Sequence, residues 1–560
     1  AAQRGCAFVL VGPLKDDLPP EAHAEWQPIR PGTDTAMMLG LAHTLAVEGL
    51  VDRTFLDRYT IGWERFEPYL LGTRDGQAKD AAWAAAICGV DAQAIRALAR
   101  RMAGKRTLIV TSQSVQRQEF GEQPLWMALT LAAMLGQLGL PGGGFVYGLG
   151  SLANIGKAAL AVPTPTLSQG RNPIRPFIPV ARIADMLLNP GAAFDYDGQR
   201  MAYPSIRLIY WAGGNPFHHH QDINRLRRAF ATVDTLIVHD SAWTATARHA
   251  DIVFPATVTL EREDIGAAAY DDRILAMHRI VEPYGEARDD YAIFSDLARR
   301  LGVGETFTEG RTPAEWLRHL YEPTRAAVEK ATGRAPSFEE FWQAGEMQLP
   351  TEPEDGGPVG AFRRDPDANP LPTPSGKVEI YSATIDGFKY TDCPGHPTWM
   401  PPVDGHGALR QKSFPLQLVA NQPATRLHSQ LDFGAASTGS KVRGREPVRL
   451  HPADAARRGI ADGDVVRLWN DRGQCLAGAV VSTDVMQGVA QLSTGAWYDP
   501  DDPAGDDPLC VHGNPNVLTR DAGTSSLSQG CSGQLTLVEV ERFAGNLPPV
   551  RAFDPPEGGA

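Results

Sequence analysis

Residues 208–240 constrain the fold more than any other stretch. A short apolar run, Leu208, Ile209, Tyr210 and Trp211, breaks at Gly213 and Gly214 and passes through Asn215-Pro216 into a polar helical segment at 221–230. A second apolar strand at 235–238 then stops at His239 and Asp240. Strand, glycine turn, helix, strand and terminal acid is the order in which an open α/β sheet offers backbone amides and a carboxylate to a nucleotide at the carboxyl ends of its strands. Taken alone, the same order also fits an α/β unit that binds nothing, and no GxGxxG fingerprint is present.

At 560 residues, with 43% hydrophobic and 21% charged, the chain can bury several cores. Its net charge of -13 and the lack of a dense basic run exclude nucleic acid as an expected partner. Cys6, Cys88, Cys393, Cys475, Cys510 and Cys531 are scattered without a CxxC pair, which speaks against an iron–sulfur cluster, a structural zinc or a disulfide framework. The longest apolar stretch, 125–140, is interrupted by Thr130 and Gln137 and runs into Pro141-Gly142-Gly143-Gly144, so it reads as a buried helix and no membrane insertion is expected. The opening AAQRGCAFVLVGP has no signal-peptide pattern and reads as an internal parallel strand, so the chain is expected to start in mid-domain.

Punctuation divides the rest. Residues 34–48 and two runs within 78–101 carry helical spacing; 107–110 is a strand, followed by TSQSVQRQEFGEQ and a helix opened by Pro124. Two more strand–helix units reach about residue 302, giving an α/β region over 1–395 of parallel-sheet, Rossmann-like domains with a surface loop or linker at 348–374. From 410 to 545 the pattern turns to short β runs. Pro452 begins a short helix that Gly459 ends, Asp462-Gly463 turns, and VVRLWN pairs with QCLAGAVV across Asp471-Arg472-Gly473. A C-terminal β-barrel with one embedded helix is therefore expected, with 546–560 as a tail.

Several motifs, in order along the chain, carry a family resemblance: PIRPGTDTAMMLGLAHTL at 28–45, SVQRQEFGEQ at 114–123, GGNPFHHHQDINRL at 213–226, WTATARHADIVFPAT at 243–257, NQPATRLHSQLD at 421–432, STGAWYDP at 493–500 and HGNPNVLTRDAGTSSLSQG at 512–530. The chain resembles the molybdopterin-dependent oxidoreductases of the dimethyl sulfoxide reductase family, in the branch of biotin sulfoxide, trimethylamine N-oxide and dimethyl sulfoxide reductases. The resemblance implies a barrel of the double-psi type. It also implies a molybdenum cofactor, bis(molybdopterin guanine dinucleotide), held between α/β domains and barrel.

On that footing Ser114, Gln116, Arg117, Gly214, Asn215, His220, Gln221, Asp240 and Thr244 are expected cofactor contacts, with Asp240 accepting from a guanine and the turn amides approaching a phosphate or pterin. The barrel is expected to add Gln422, Arg426, His428, Ser429, Asn514, Asn516 and Gln529, whose amides and imidazoles can both donate and accept. Local roles compete. Arg117 can pair with Glu119 or Glu122, Asp240 can cap the next turn, Asn514 suits an Asn-Pro turn, and Trp497 and Tyr498 can line a funnel or fill the barrel. His218, His219 and His220 cannot all reach one ion from a regular element.

The resemblance places the metal-coordinating serine upstream of residue 1, so no metal ligand is assigned here; Ser114 answers to a pterin contact. It implies reduction of an S-oxide or N-oxide with electrons from a donor protein or reductant. NQPATRLHSQLDFGAAS and NPNVLT favour a biotin or methionine sulfoxide type, with trimethylamine N-oxide and dimethyl sulfoxide open. A non-catalytic cofactor-binding fragment, or one subunit of a split enzyme, is the alternative. GxSxG, HExxH and GxxxxGK[ST] are absent; 150–157 has the wrong spacing for a phosphate loop and ends before Ala158. Glu261, Glu263 and Asp264 read as a solvated charge cluster.

Overall fold

A computed structural model describes residues 1–149, 158–268, 271–352 and 356–556. The stretch 150–157 compared above with a phosphate loop lies outside them, as do parts of the expected linker (353–355) and tail (557–560). The opening apolar run forms only the short strand Val9–Val11, which pairs in parallel with Glu25–Gln27.

Helices α1 (Asp34–Val47), α2 (Ala81–Cys88), α3 (Ala92–Ala103) and α4 (Glu122–Met134) pack around Leu39, Leu45, Ile95, Met127 and Leu131. Asp80 and Asp91 cap α2 and α3 by accepting first-turn amides, which otherwise lack partners. Strand β1 (Leu108–Thr111) pairs in parallel with β2 (Gly144–Tyr147) on either side of α4 in sequence. Two expectations shift here. Helix α4 starts two residues before Pro124, because a proline in the first turn removes only an amide that has no partner there. It also stops at Met134, short of the expected glycine run, because Gly136 turns into the left-handed region at φ 67°.

The 208–255 region is built as expected. β3 (Leu208–Ala212), β4 (Thr235–Asp240) and β5 (Ile252–Pro255) form a parallel sheet with β4 central. Helix α5 (Ile223–Phe230) joins the first two, burying Ile223, Leu226, Ala229 and Phe230, leaving Arg228 exposed and turning Arg225 to Asp185 and Asp521. It begins at 223 rather than 221 because Asp222 takes the cap, accepting from the Arg225 amide at 2.9 Å.

The α/β region carries the expected parallel pairing. Its parallel pairs fall in separate two- and three-stranded sheets, beside an antiparallel sheet of Asp264–Ala267, Arg273–Met277 and Glu346–Gln348. Long inserts part the strand–helix units and build their own small core on Ile274, Tyr321 and Phe341. The stretch read as loop or linker contains the helix Gly357–Arg364, started by Pro358 in its first turn and anchored by buried Phe362.

The C-terminal barrel is closed and mixed. β6 (Leu416–Val419), β7 (Pro447–Leu450), β8 (Val465–Trp469), β9 (Gln474–Val481), β10 (Val489–Leu492) and β11 (Leu535–Arg542) run in the order β6-β10-β7-β9-β8-β11 and back to β6. Pairs β6/β10 and β7/β9 are parallel; β8/β9 is the expected hairpin. Alternate residues such as Leu418, Val448, Leu468 and Ala490 fill the interior, as a two-residue repeat requires. This core is continuous with Ile223, Leu226, Leu236 and Val238 of the β3–β5 unit, so one apolar mass fixes barrel to sheet.

Candidate functional site at the seam of sheet and barrel

Beyond β3 the chain turns through Gly213 and Gly214 at φ 80° and 86°. A side chain on Gly213 would meet nothing within 4 Å, so it is the backbone angle that selects glycine there. Both glycines are exposed, leaving this turn open to a ligand. Asn215 beside them is buried: its Oδ1 accepts from the Thr246 hydroxyl at 2.6 Å, which turns its amide nitrogen toward Ser429 Oγ, 3.5 Å away.

One helical turn, Pro216–His219, then presents the histidines. His218 Nδ1 lies 2.6 Å from the Asn215 carbonyl. A carbonyl only accepts, so Nδ1 carries the proton and Nε2 offers a lone pair. That Nε2 is buried without a partner, and so are His220 Nε2 and Gln221 Oε1. Burial pushes His218 and His220 down to about 3, with His219 adding to each shift. His219 reaches solvent yet is crowded by protein; burial, then His428 and Arg117, lower it to about 4. Ring contacts of 5.8, 4.9 and 5.3 Å run from His428 through His218 and His219 to His220. At neutral pH this is a cluster of uncharged imidazoles, with buried acceptors that call for a donor.

Asp240 ends β4 half-buried. Its carboxylate accepts from the Ser241 amide at 2.8 Å and the Thr244 hydroxyl at 2.6 Å, while burial raises its pKa. Thr244 caps the turn Ala245–Arg248 that carries Thr246. Asp240 and Thr244 thus organise the following turn, the local role weighed for Asp240, and through Thr246 they reach Asn215.

The loop after β1 places Ser114 and Arg117 at the surface, with Ser114 bonded to Ser112 and Gln116 to the Tyr147 hydroxyl. The pairing considered for Arg117 does not form. Glu119 pairs with Arg520 at 3.0 Å, and Glu122 accepts from Thr524 at 2.6 Å, from Ser525 at 2.9 Å and from Ser528. Arg117 makes no ion pair among the described residues, and its charge bears on His219 and His428. Its carbonyl accepts from the Gln534 amide at 3.2 Å, which joins this loop to the barrel.

On the barrel side, three expected contacts are engaged within the protein. The Arg426 side chain is 1% exposed and donates to Ser437 Oγ, Glu446 Oε2 and the Thr494 carbonyl at 3.0, 3.0 and 3.2 Å. Lys441 bridges Asp432 and Glu446 at 2.8 and 2.9 Å, so Arg426 belongs to a buried group of two cations and two carboxylates. Asn514 donates to the Phe217 carbonyl at 2.8 Å and accepts from the Asn516 amide at 2.9 Å. Asn516 donates to the His218 carbonyl at 2.6 Å and accepts from Thr519 at 2.9 Å. Both asparagines tether barrel to histidine turn.

His428 and Ser429 do face that turn. His428 sits at φ 52°, and its carbonyl packs so closely on Gly495 (φ 97°) that a Cβ there would lie 1.9 Å away. The Ser429 carbonyl accepts from Trp497 Nε1 at 2.9 Å; Trp497 and Tyr498 are both buried, filling the wall of the barrel. Gln422 is exposed, and Gln529 donates to the Asp195 carbonyl at 2.9 Å, so neither meets the histidine turn. Sequence reasoning missed His219, Thr246 and the half-buried Asp34. Asp34 opens α1 in the PGTD motif, bonds Gln118 and is raised by burial. It reads in sequence only as a helix start.

The chain matches the model of the molybdopterin oxidoreductase family over residues 1–300, and that of the molydopterin dinucleotide binding domain over 416–537. It is 49% identical over 554 residues to biotin sulfoxide reductase of Cereibacter sphaeroides, covering 99% of this chain and 74% of that protein. The dimethyl sulfoxide/trimethylamine N-oxide reductase of the same organism is 46% identical over 574 residues, and the trimethylamine-N-oxide reductase of Haemophilus influenzae is 44% identical over 571; each match covers 99% of this chain and 69% of the relative. Among solved structures, acetylene hydratase from Pelobacter acetylenicus superimposes with TM-score 0.66 at 18% identity, over 97% of this chain and 74% of that one, a likeness of fold.

The chain therefore belongs to the molybdopterin oxidoreductase family. Its cofactor class is molybdenum carried by molybdopterin. The residues present suit such a group: buried acceptors on His218 and Gln221, beside the unpartnered Nε2 of His220, match ring N–H groups, while exposed turn amides and Arg117, without an ion pair among the described residues, match anionic oxygens. Among the described residues, no group of three or more His, Cys, Asp or Glu is placed to hold a metal ion itself, and no helix is long and apolar enough to cross a membrane.

Proposed function

We propose that the chain reduces an S-oxide or N-oxide, with a biotin or methionine sulfoxide type favoured, using molybdenum held by two molybdopterin guanine dinucleotides. The observation that carries the reading is the unpartnered buried set of His218 Nε2, His220 Nε2 and Gln221 Oε1, with Arg117 making no ion pair among the described residues, in a chain 49% identical to a biotin sulfoxide reductase. When bound, the cofactor supplies the two-electron chemistry: the oxide becomes a sulfide or amine, and its oxygen leaves as water with two protons.

The chain's own residues bind and orient. His218 Nε2 would accept from a pterin N–H and His220 Nε2 would take a further ring contact, both imidazoles staying uncharged, since burial disfavours an imidazolium there. Arg117 and the amides at Gly213 and Gly214 hold a pyrophosphate, and Asp240 keeps lone pairs free for a guanine edge. The electron source is a donor protein or small reductant.

The test is to purify the chain joined to any sequence that precedes it in its gene, so that the expected upstream serine is supplied, with molybdenum and guanine quantified, then follow reduced-dye oxidation with biotin sulfoxide, methionine sulfoxide, trimethylamine N-oxide and dimethyl sulfoxide. Turnover fastest on the two larger sulfoxides is expected. A chain with stoichiometric molybdenum that reduces none of the four refutes the reading and leaves the cofactor-binding fragment in its place.

A further inference from the structure

Residues 546–556 follow the barrel without regular secondary structure, yet several of them are held firmly. The Arg248 guanidinium, at the end of the turn Ala245–Arg248, donates to the carbonyls of Arg551 at 2.9 Å, Ala552 at 3.1 Å and Asp554. Buried Asp499 accepts from the Arg551 amide at 2.7 Å, and Arg445 donates to the Pro548 carbonyl at 2.6 Å. Ala552 is fully covered. The Phe553 ring lies edge-on to Trp497, His512 and Phe433, at centroid distances of 5.4, 5.1 and 6.3 Å.

Two lines of contact leave this segment, one to each side of the seam between sheet and barrel. Through Phe553 it braces Trp497, whose indole N–H holds the Ser429 carbonyl at 2.9 Å and whose backbone N–H reaches Asp432 Oδ2 at 3.1 Å. That fixes the loop carrying His428. Through Arg248 it grips the short turn whose Thr246 orients Asn215 and whose cap, Thr244, is held by Asp240. A segment anchored on both sides limits how far the two walls can part. Simple surface packing would not require a half-buried arginine to gather three carbonyls of one short segment, nor a phenylalanine wedged beside the tryptophan that holds the loop of His428 and Ser429.

We propose that residues 548–554 form a clasp across the outside of the cofactor cleft, with Arg248 and Phe553 as positioning residues that set the spacing of its walls and so retain the cofactor. The geometry stands by itself; the consequence for retention rests on the molybdopterin reading above. Losing one charge-assisted hydrogen bond changes a local opening equilibrium about tenfold. Loosening at the segment should therefore be felt at 424–433 and at 213–222.

The experiment uses the full chain in two forms. In the cofactor-free form, hydrogen–deuterium exchange is followed in Arg248→Ala, Phe553→Ala and Arg248→Lys. Both alanine variants are expected to exchange about tenfold faster at 424–433 and 213–222 while α1 is unchanged, and the lysine variant, which keeps three donors, to recover most of the protection. Unchanged exchange at 424–433 while 548–554 opens overturns the clasp. Faster exchange spread evenly over the chain overturns it too, because that reports general destabilisation. In the cofactor-loaded form, the release of guanine nucleotide is timed. Release about tenfold faster in the alanine variants supports retention; equal rates overturn it. If the unsubstituted chain carries no guanine nucleotide, the cofactor reading fails, and the exchange measurement still decides the clasp.

Discussion

His249 offers a prediction whose size comes directly from its surroundings. Its ring stacks on Phe217 at 4.1 Å and 17°, and Nδ1 donates to the Ala245 carbonyl at 2.7 Å. Burial, opposed by that bond and reinforced by Arg227 and Arg248, lowers its pKa to about 4. A histidine lowered in the folded state binds its proton more readily when unfolded, so it contributes stability above about pH 6.5 that is lost as pH falls toward 4. At pH 5 the unfolded imidazole gains about 2 kcal/mol by protonation and the folded one about 0.1 kcal/mol; at pH 7.5 both gains are close to zero. His249→Gln removes the titration. The variant is expected to be about 1–2 kcal/mol less stable at pH 7.5, from the lost stacking and hydrogen bond. That deficit should shrink by about 2 kcal/mol between pH 7.5 and 5, an upper figure because the ring is not fully enclosed. Urea unfolding of both cofactor-free chains at pH 7.5, 6 and 5 measures it. Because the comparison is a difference, acids that titrate in the same range cancel. A deficit constant across the three pH values refutes a neutral, sequestered His249.

Asp432→Asn leaves Arg426 and Lys441 with Glu446 as their remaining carboxylate; a loss of about 3–5 kcal/mol is expected, and a urea midpoint within experimental error of the parent contradicts it. Thr246→Val keeps the shape but strips the donor from buried Asn215 Oδ1, which costs about 1–3 kcal/mol and should lower molybdenum per chain on elemental analysis. Gly495→Ala drives a Cβ into the His428 carbonyl, so cofactor content should fall while barrel circular dichroism persists; a fully loaded variant would show that the loop adapts. Thr312→Ala removes a capping box from the surface helix Pro313–Thr332 and should lower stability by about 1 kcal/mol in thermal melts, with cofactor content intact.

The parts of the fold legible in sequence are those set by neighbouring residues. Gly213-Gly214 and the Asp222 cap bracket the β3–α5 turn, and Asp471-Arg472-Gly473 closes the β8/β9 hairpin, because turn and cap chemistry acts within a few residues. The helix Gly357–Arg364 was hidden by its own glycines and proline, which signal a loop until Phe362 finds a core. Of the expected contacts, Asn215, His428 and Ser429 come together at the histidine turn, but the roles of the expected residues were less legible. Arg426 sits in a polar loop and looks available; only the fold brings Asp432, Lys441 and Glu446 around its guanidinium. Among the three consecutive histidines, sequence gave no means of telling His219 from His220. The distinction arises because His218 folds back on the Asn215 carbonyl, burying the rings on either side of the one that reaches solvent.

Asn514 and Asn516 have a consequence for how the chain folds. Their amides grip the carbonyls of Phe217 and His218, residues 297 and 298 positions earlier. Contacts over such separations must overcome a large loop-closure entropy before they reward it, whereas α5 and the β8/β9 hairpin close locally. The expected order is therefore walls first and cleft last, with the histidine turn gaining protection only when a completed barrel docks on it. Pulse-labelled exchange during refolding would record that delay as late protection at 217–220. A newly synthesised chain would then pass through a stage in which both walls are folded and the space between them is still open.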